Sequence, residues 1–187
     1  IGAGSSIITA TQAATSNYLA GKITATIVVT LPEPTITDFS VPNKTFGNAP
    51  FSLIAPTSNS AGAFKYLSSV PTVAKIAGNT VTIVGAGSTT ISAVQAGNTS
   101  YISGTITAPF VVSQGTPTIT TFSIHPKIVG NALFPIVNPK SNCKGAFTYT
   151  SSNTSVVVVA GNIITIVGNG SSIITASQAS TTDYIAG

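Results

Sequence analysis

The chain has 187 residues, of which 5% are charged: seven Lys, three acids (Glu33, Asp38 and Asp183) and no Arg, for a net charge of +4. Roughly 25% would be ordinary for a soluble protein, and Ser, Thr, Asn, Gly and Ala stand in the place of the missing charges. Scattered Lys without Arg offer no bidentate reader of phosphate or guanine, which argues against nucleic-acid binding. No apolar run approaches the roughly 18–20 residues of a membrane-spanning helix, and one Cys excludes an internal disulfide framework.

Taken in chain order, residues 1–31 read as the last strands of a repeat. Ile23, Ala25, Ile27 and Val29 share one parity while Thr24 and Thr26 take the other, the period-two pattern of a half-buried strand. A Pro-rich link follows, Thr30-Leu31-Pro32-Glu33-Pro34. Residues 32–114 then hold seven predicted strands: Thr35–Val41, Phe51–Ala55, Ala63–Ser68, Val73–Ile76, Thr80–Val84, Thr89–Gln95 and Thr105–Val112. Turn residues separate them every 8–12 positions or so, as in an all-β sandwich. Ala77-Gly78-Asn79 reads as a hairpin turn, and so does Gly85-Ala86-Gly87. Ile106, Ala108, Phe110 and Val112 point inward in the last strand. Pro109 sits on its outward parity, which requires an edge position or an unpaired stretch.

Residues 115–187 repeat this at a spacing of 83. Val84-Gly85-Ala86-Gly87-Ser88 answers Ile1-Gly2-Ala3-Gly4-Ser5, and Val167-Gly168-Asn169-Gly170-Ser171 answers both. Over 34–104 against 117–187, 38 of 71 pairs are identical. A fixed period is the signature of a tandem array. The expected architecture is therefore all-β: tandem seven-strand sandwiches with a period of 83 residues, truncated at both ends. The three parts are a fragment (1–31), a complete repeat (32–114) and a repeat without its final strand (115–187). Such an open edge recruits a strand. The expected donor is the next stretch of the same chain, since Gly21 and Gly104 each lead straight into that strand.

One stretch carries a resemblance. Asn79-Thr80-Val81-Thr82-Ile83-Val84-Gly85-Ala86-Gly87-Ser88-Thr89-Thr90-Ile91-Ser92-Ala93 resembles the signature of bacterial immunoglobulin-like domains of the group-2, invasin- and intimin-type family. Tyr66-Leu67-Ser68-Ser69, Tyr149-Thr150-Ser151-Ser152-Asn153-Thr154-Ser155-Val156 and Gln95-Ala96-Gly97-Asn98-Thr99-Ser100-Tyr101 resemble its flanking stretches. The resemblance covers nearly the whole chain and implies immunoglobulin-like sandwiches, as in adhesins, surface-layer proteins, secreted fibres and phage or large-virus structural proteins. Its calcium-binding members use clustered acids between domains. Here Glu33 stands alone at its linker, so calcium does not carry over.

The residues that could bear chemistry are few. His125, the one His, lies beside Pro126 and reads as a solvated loop residue; a general base would need a nucleophile and an orienting acid. Asp38 answers Thr121 and Asp183 answers Ser100, so no acid belongs to a repeated site. The expectation is no catalytic residue, no metal and no cofactor. Asn43, Asn98, Asn153 and Asn169 head Asn-x-Ser/Thr sequons in predicted loops and are candidate glycosylation sites. Cys143, at the position of Ser60, reads as an exposed loop thiol, either inert or available for a cross-link between neighbouring chains. Tyr18, Tyr101 and Tyr184 recur beside the last strand, as core plugs with bonded hydroxyls or as platforms for sugar.

These features point to a non-enzymatic structural segment: a spacer in a long extracellular, cell-surface or virion-surface fibre or stalk. Its expected partners are further repeats of the same chain and neighbouring copies. The second reading is an adhesin or virion decoration protein that grips cell-surface glycans with its loops. A surface of Thr and Ser with so little charge is expected to be dressed with sugar or packed against neighbours.

Overall fold

A computed structural model describes residues 2–187. The chain is all-β, with many strands in several sheets and no helix among the described residues, an arrangement consistent with a β-sandwich. Among the described residues no helix is long and apolar enough to cross a membrane. The first strands, β1 (Gly4–Gln12) and β2 (Gly21–Val29), form an antiparallel hairpin exposed along both strands.

Residues 32–114 build two facing sheets. Their strands are β3 (Ile36–Thr37), β4 (Lys44–Thr45), β5 (Phe51–Ser52), β6 (Thr57–Ser58), β7 (Phe64–Ser68), β8 (Ala74–Ala77), β9 (Thr80–Ile83), β10 (Gly87–Gln95) and β11 (Gly104–Ser113). One sheet runs β4-β11-β10-β7 and another β5-β9-β8, with β3 and β6 as a separate pair. The inward parity read from the sequence fills the space between them. Ile91, Ala93, Phe110 and Val81 are fully buried, with Ala108, Val112, Val73 and Leu53 around them. Phe110 meets Phe51 of the opposite sheet at 5.6 Å between ring centroids. Burial raises the phenol of Tyr66 above its ordinary pKa, so it stays a neutral member of this core.

Pro109 sits where its missing N–H costs nothing. It pairs with Thr90 of β10 on one side, while β4 covers β11 only at Val112 and Ser113. Gly78 opens the two-residue loop between β8 and β9 with φ +60°, the pattern of a type II′ hairpin turn. The other glycine turn departs from expectation. Gly85-Ala86-Gly87 joins β9 in one sheet to β10 in the other, so it is a crossover between layers and not a hairpin. Two predicted strands are also shorter than expected. The stretch read as 35–41 pairs only at Ile36–Thr37, and that read as 51–55 pairs only at Phe51–Ser52.

The first of these is cut by backbone geometry. Asp38 has φ +60°, which breaks the extended run and swings Phe39 onto Tyr66, 6.0 Å away in a stacked arrangement. Thr121 does the same at φ +58°, and Phe122 stacks on Tyr149 at 5.9 Å. Asp tolerates the left-handed region, but a β-branched residue there is strained. Replacing Thr121 with Asn should therefore stabilise the 115–187 segment by about 1 kcal/mol. The check is its thermal midpoint, which should rise by roughly 4–8 °C.

Residues 115–187 supply β12 (Ile119–Thr120), β13 (Phe134–Pro135), β14 (Lys140–Ser141), β15 (Phe147–Ser151), β16 (Val157–Ala160), β17 (Ile163–Ile166) and β18 (Ile174–Gln178). The pairs β13-β17-β16, β15-β18 and β12-β14 answer β5-β9-β8, β7-β10 and β3-β6. Nothing among the described residues answers β11. Accordingly Lys127–Ile128, the counterpart of β4, forms no strand, because β4 owes its pairing to Val112 and Ser113.

Candidate functional site

Three features recur or stand out. The first is an open groove in the 115–187 segment, with a volume of about 760 Å³. Phe134, Val156, Ile164, Ile166 and Ile174 line it. Their counterparts in the 32–114 segment are Phe51, Val73, Val81, Ile83 and Ile91, which pack against Ala108, Phe110 and Val112 of β11. The groove is thus the place where a strand like β11 would lie. Ile91 is fully buried, whereas Ile174 is only half-buried. The first rung of such a strand is already present. Gln178 donates its N–H to the Gly187 carbonyl at 2.7 Å, and Gly187 returns the bond at 3.0 Å. Lys127 closes one end, its Nζ 4.8 Å from the Phe134 ring centre, as Lys44 stands over Phe51.

The second feature is the contact between the two segments. Beside the junction, within the 115–187 segment, Gly115 donates its N–H to the Asp183 carbonyl at 2.9 Å and accepts from Ile185 N–H at 3.0 Å; the bonds that follow cross the junction. Gln114 Nε2 donates to the Thr181 carbonyl at 2.6 Å. Asp183 Oδ1 accepts the N–H of Ala86 at 2.8 Å. Tyr184 sets its ring edge-on to Phe46 at 5.2 Å. The Ile185–Gly115 bond recurs one period earlier inside the 32–114 segment, where Ile102 donates its N–H to the Pro32 carbonyl at 3.0 Å. The turn that presents the tyrosine occurs three times: the N–H groups of Thr15, Asn98 and Thr181 donate to the carbonyls of Tyr18, Tyr101 and Tyr184.

The third is a buried amide. Gln95 Nε2 donates to the carbonyls of Ser60 and Gly62, both at 2.9 Å, and its Oε1 accepts from Ser58 Oγ at 2.6 Å. Gln178 repeats this with Cys143, Gly145 and Ser141. Every polar atom of that side chain is bonded, which is what permits its burial.

The candidates named from the sequence fall as follows. Cys143 is corrected: it is buried and not exposed, with its Sγ accepting from Gly145 N–H at 3.3 Å. A thiol held so is not presented to a neighbouring chain. Tyr184 is no plug of its own core, since it packs across the contact on Phe46, and Tyr18 is 74% exposed. His125 is exposed at the rim of the groove. Of the sequon residues, Asn43, Asn153 and Asn169 are exposed. Asn98 is half-buried, with its Nδ2 bonded to Ser60 Oγ at 2.9 Å and its Oδ1 accepting two backbone N–H groups. Among the described residues, no three of His, Cys, Asp or Glu gather as metal ligands.

The inter-segment contact escaped the sequence because Asp183 does not recur, although Tyr184 does. The amide clamp did leave a signal: Gln12, Gln95 and Gln178 recur at the period, each four and two residues after an apolar pair, Ile8 and Ala10, Ile91 and Ala93, and Ile174 and Ala176. No protein-family model matches the chain, and no curated protein matches it either.

Proposed function

We propose that the chain is a spacer: a piece of a rod made of tandem immunoglobulin-like sandwiches that repeat every 83 residues, with 32–114 as one closed domain. The observation that carries this reading is the contact between segments. A carboxylate on a backbone N–H, the Gln114 amide on the Thr181 carbonyl and an aromatic pair hold consecutive units in one orientation. Short Pro-containing links favour extended chain over coil. The surface of Thr, Ser and Asn with little charge fits a place outside the cell or on a virion.

A spacer is tested by its length. Inserting one or two further copies of 32–114 should lengthen the particle in equal steps of about 35–40 Å, the reach of an eight-residue strand plus its loops. Small-angle X-ray scattering reads the maximum dimension directly. Growth that falls away with each copy would mean flexible joints and would contradict the reading. Selective capture of one class of oligosaccharide on a glycan array would favour a binding protein in its place.

A further inference from the structure

We propose that β15 is a lateral contact edge, and that it pairs antiparallel with β15 of a second copy of this chain. This goes beyond the spacer reading and does not depend on it, because it joins chains side by side. β15 and its counterpart β7 are both end strands of their sheets, and a bare edge invites pairing unless something such as a charge guards it. In the 32–114 segment the charges are in place: Lys65 stands on β7 and Lys75 on β8, both exposed. One period later the same positions hold Thr148 on β15 and Val158 on β16, also exposed. β16 lies beside β15 as β8 lies beside β7, so one side of the 115–187 segment has neither lysine. An open crevice of about 570 Å³ borders β15 there, lined by Phe147, Thr148 and Tyr149 together with Asn138, Gly161 and Asn162.

The edge is self-complementary. On its inner side Ala179 donates its N–H to the Ala146 carbonyl and Ser152 to the Ile173 carbonyl, each at 2.9 Å. Bonded and non-bonded pairs alternate along an antiparallel ladder, so between those two bonds Thr148 and Thr150 bond to Ser177 and Thr175 of β18. The N–H and C=O groups of Phe147, Tyr149 and Ser151 therefore turn to the free side. A second β15, laid antiparallel about a two-fold axis at Tyr149, brings Tyr149 opposite Tyr149 and Phe147 opposite Ser151. Each of these pairs exchanges two N–H···O bonds, about six in all, in a continuous β18-β15-β15-β18 sheet. Thr148 then stands opposite Thr150 twice, and such threonine pairs across strands are favourable. The same pairing of β7 would set two Lys65 side chains on a diagonal of about 7–8 Å, like charge near like charge. The contact uses one patch on both copies, so it closes as a dimer.

Disulfide trapping reads this register. Thr148 and Thr150 of the two copies form a non-hydrogen-bonded pair, whose Cα atoms lie about 4.5 Å apart, within disulfide reach. Thr148 and the other copy's Thr148 are diagonal neighbours at about 7–8 Å, beyond it. Thr148→Cys and Thr150→Cys are made separately in the 187-residue chain, on a Cys143→Ser background that installs the residue of the first repeat, Ser60. Oxidised as a mixture, the two should give a covalent dimer at more than about fivefold the yield of either alone. Equal yields in all three samples, or no dimer in the mixture, would overturn the proposal. A second measurement needs no cysteine. In the unaltered chain the amide NMR signals of Phe147, Tyr149 and Ser151 should shift as concentration rises. Thr148→Lys should need a concentration more than about tenfold higher for the same shift. β7 already carries a lysine at this place, so folding is not at stake. No shift at these three amides in the unaltered chain, or the same shift in Thr148→Lys, would also overturn it.

Discussion

Replacing Gly62 with Ala is expected to unfold the 32–114 segment or to cost it about 4 kcal/mol or more, against a total of roughly 5–15 kcal/mol for a domain. A Cβ built at Gly62 lies 1.9 Å from the carbonyl oxygen of Ala96 and 3.0 Å from its carbon. Those are backbone atoms, so no side chain can rotate aside. Nor can the backbone yield cheaply, because Ala96 donates its N–H to the Ala63 carbonyl at 3.0 Å, at the end of the β7-β10 ladder. Gly145 repeats the geometry at 1.8 Å from the Ala179 oxygen, so Gly145→Ala should do the same to the other segment. Gly78→Ala is the contrast. It has φ +60° but nothing within 4 Å of an added Cβ, and its cost should be only about 1 kcal/mol. Circular dichroism melts of the three variants separate a steric wall from a conformational preference.

The second large effect is at the buried amide. Gln95→Ala leaves the carbonyls of Ser60 and Gly62 without a donor and Ser58 Oγ without its acceptor. Orphaned buried polar groups cost about 1–3 kcal/mol each, and the lost volume adds a cavity. The expected loss is about 3–5 kcal/mol. Chemical denaturation should show the midpoint fall with little change in slope, because the surface exposed on unfolding is unchanged. Gln12→Ala, at the same place in the exposed hairpin, should have almost no effect. Equal losses at the two positions would mean that the clamp is not what holds Gln95.

Much of the fold could be read from alternation and turn chemistry. Val81, Ile91, Ala108, Phe110 and Val112 lie on the inward parity and are buried, and Pro109 marks a stretch of β11 left unpaired on the β4 side. What could not be read depends on backbone geometry or on distant contacts. Nothing in Ile-Thr-Asp-Phe announces a left-handed residue at Asp38, and Thr121 argues against one, yet both adopt it because Phe39 and Phe122 must turn onto their tyrosines. β4 exists only because the end of β11 lies beside it. Cys143 looked like a loop thiol because its neighbours are Asn, Lys and Gly. It is buried because the Gln178 amide draws its carbonyl inward at 2.9 Å. The pairing of Asp183 with Ala86 spans 97 residues and has no local signature.

The claim that consecutive units are held in one orientation can be tested most directly by residual dipolar couplings on the 187-residue chain. Backbone couplings from β7, β10 and β11 report the alignment of one unit, and those from β15, β17 and β18 report the other. The account predicts that both sets fit a single alignment tensor of common magnitude and axes. It further predicts that Tyr184→Ala, which removes the ring from Phe46, splits them while leaving each set internally consistent. Two tensors of clearly different magnitude in the unaltered chain would mean that the units reorient freely, and would contradict the account.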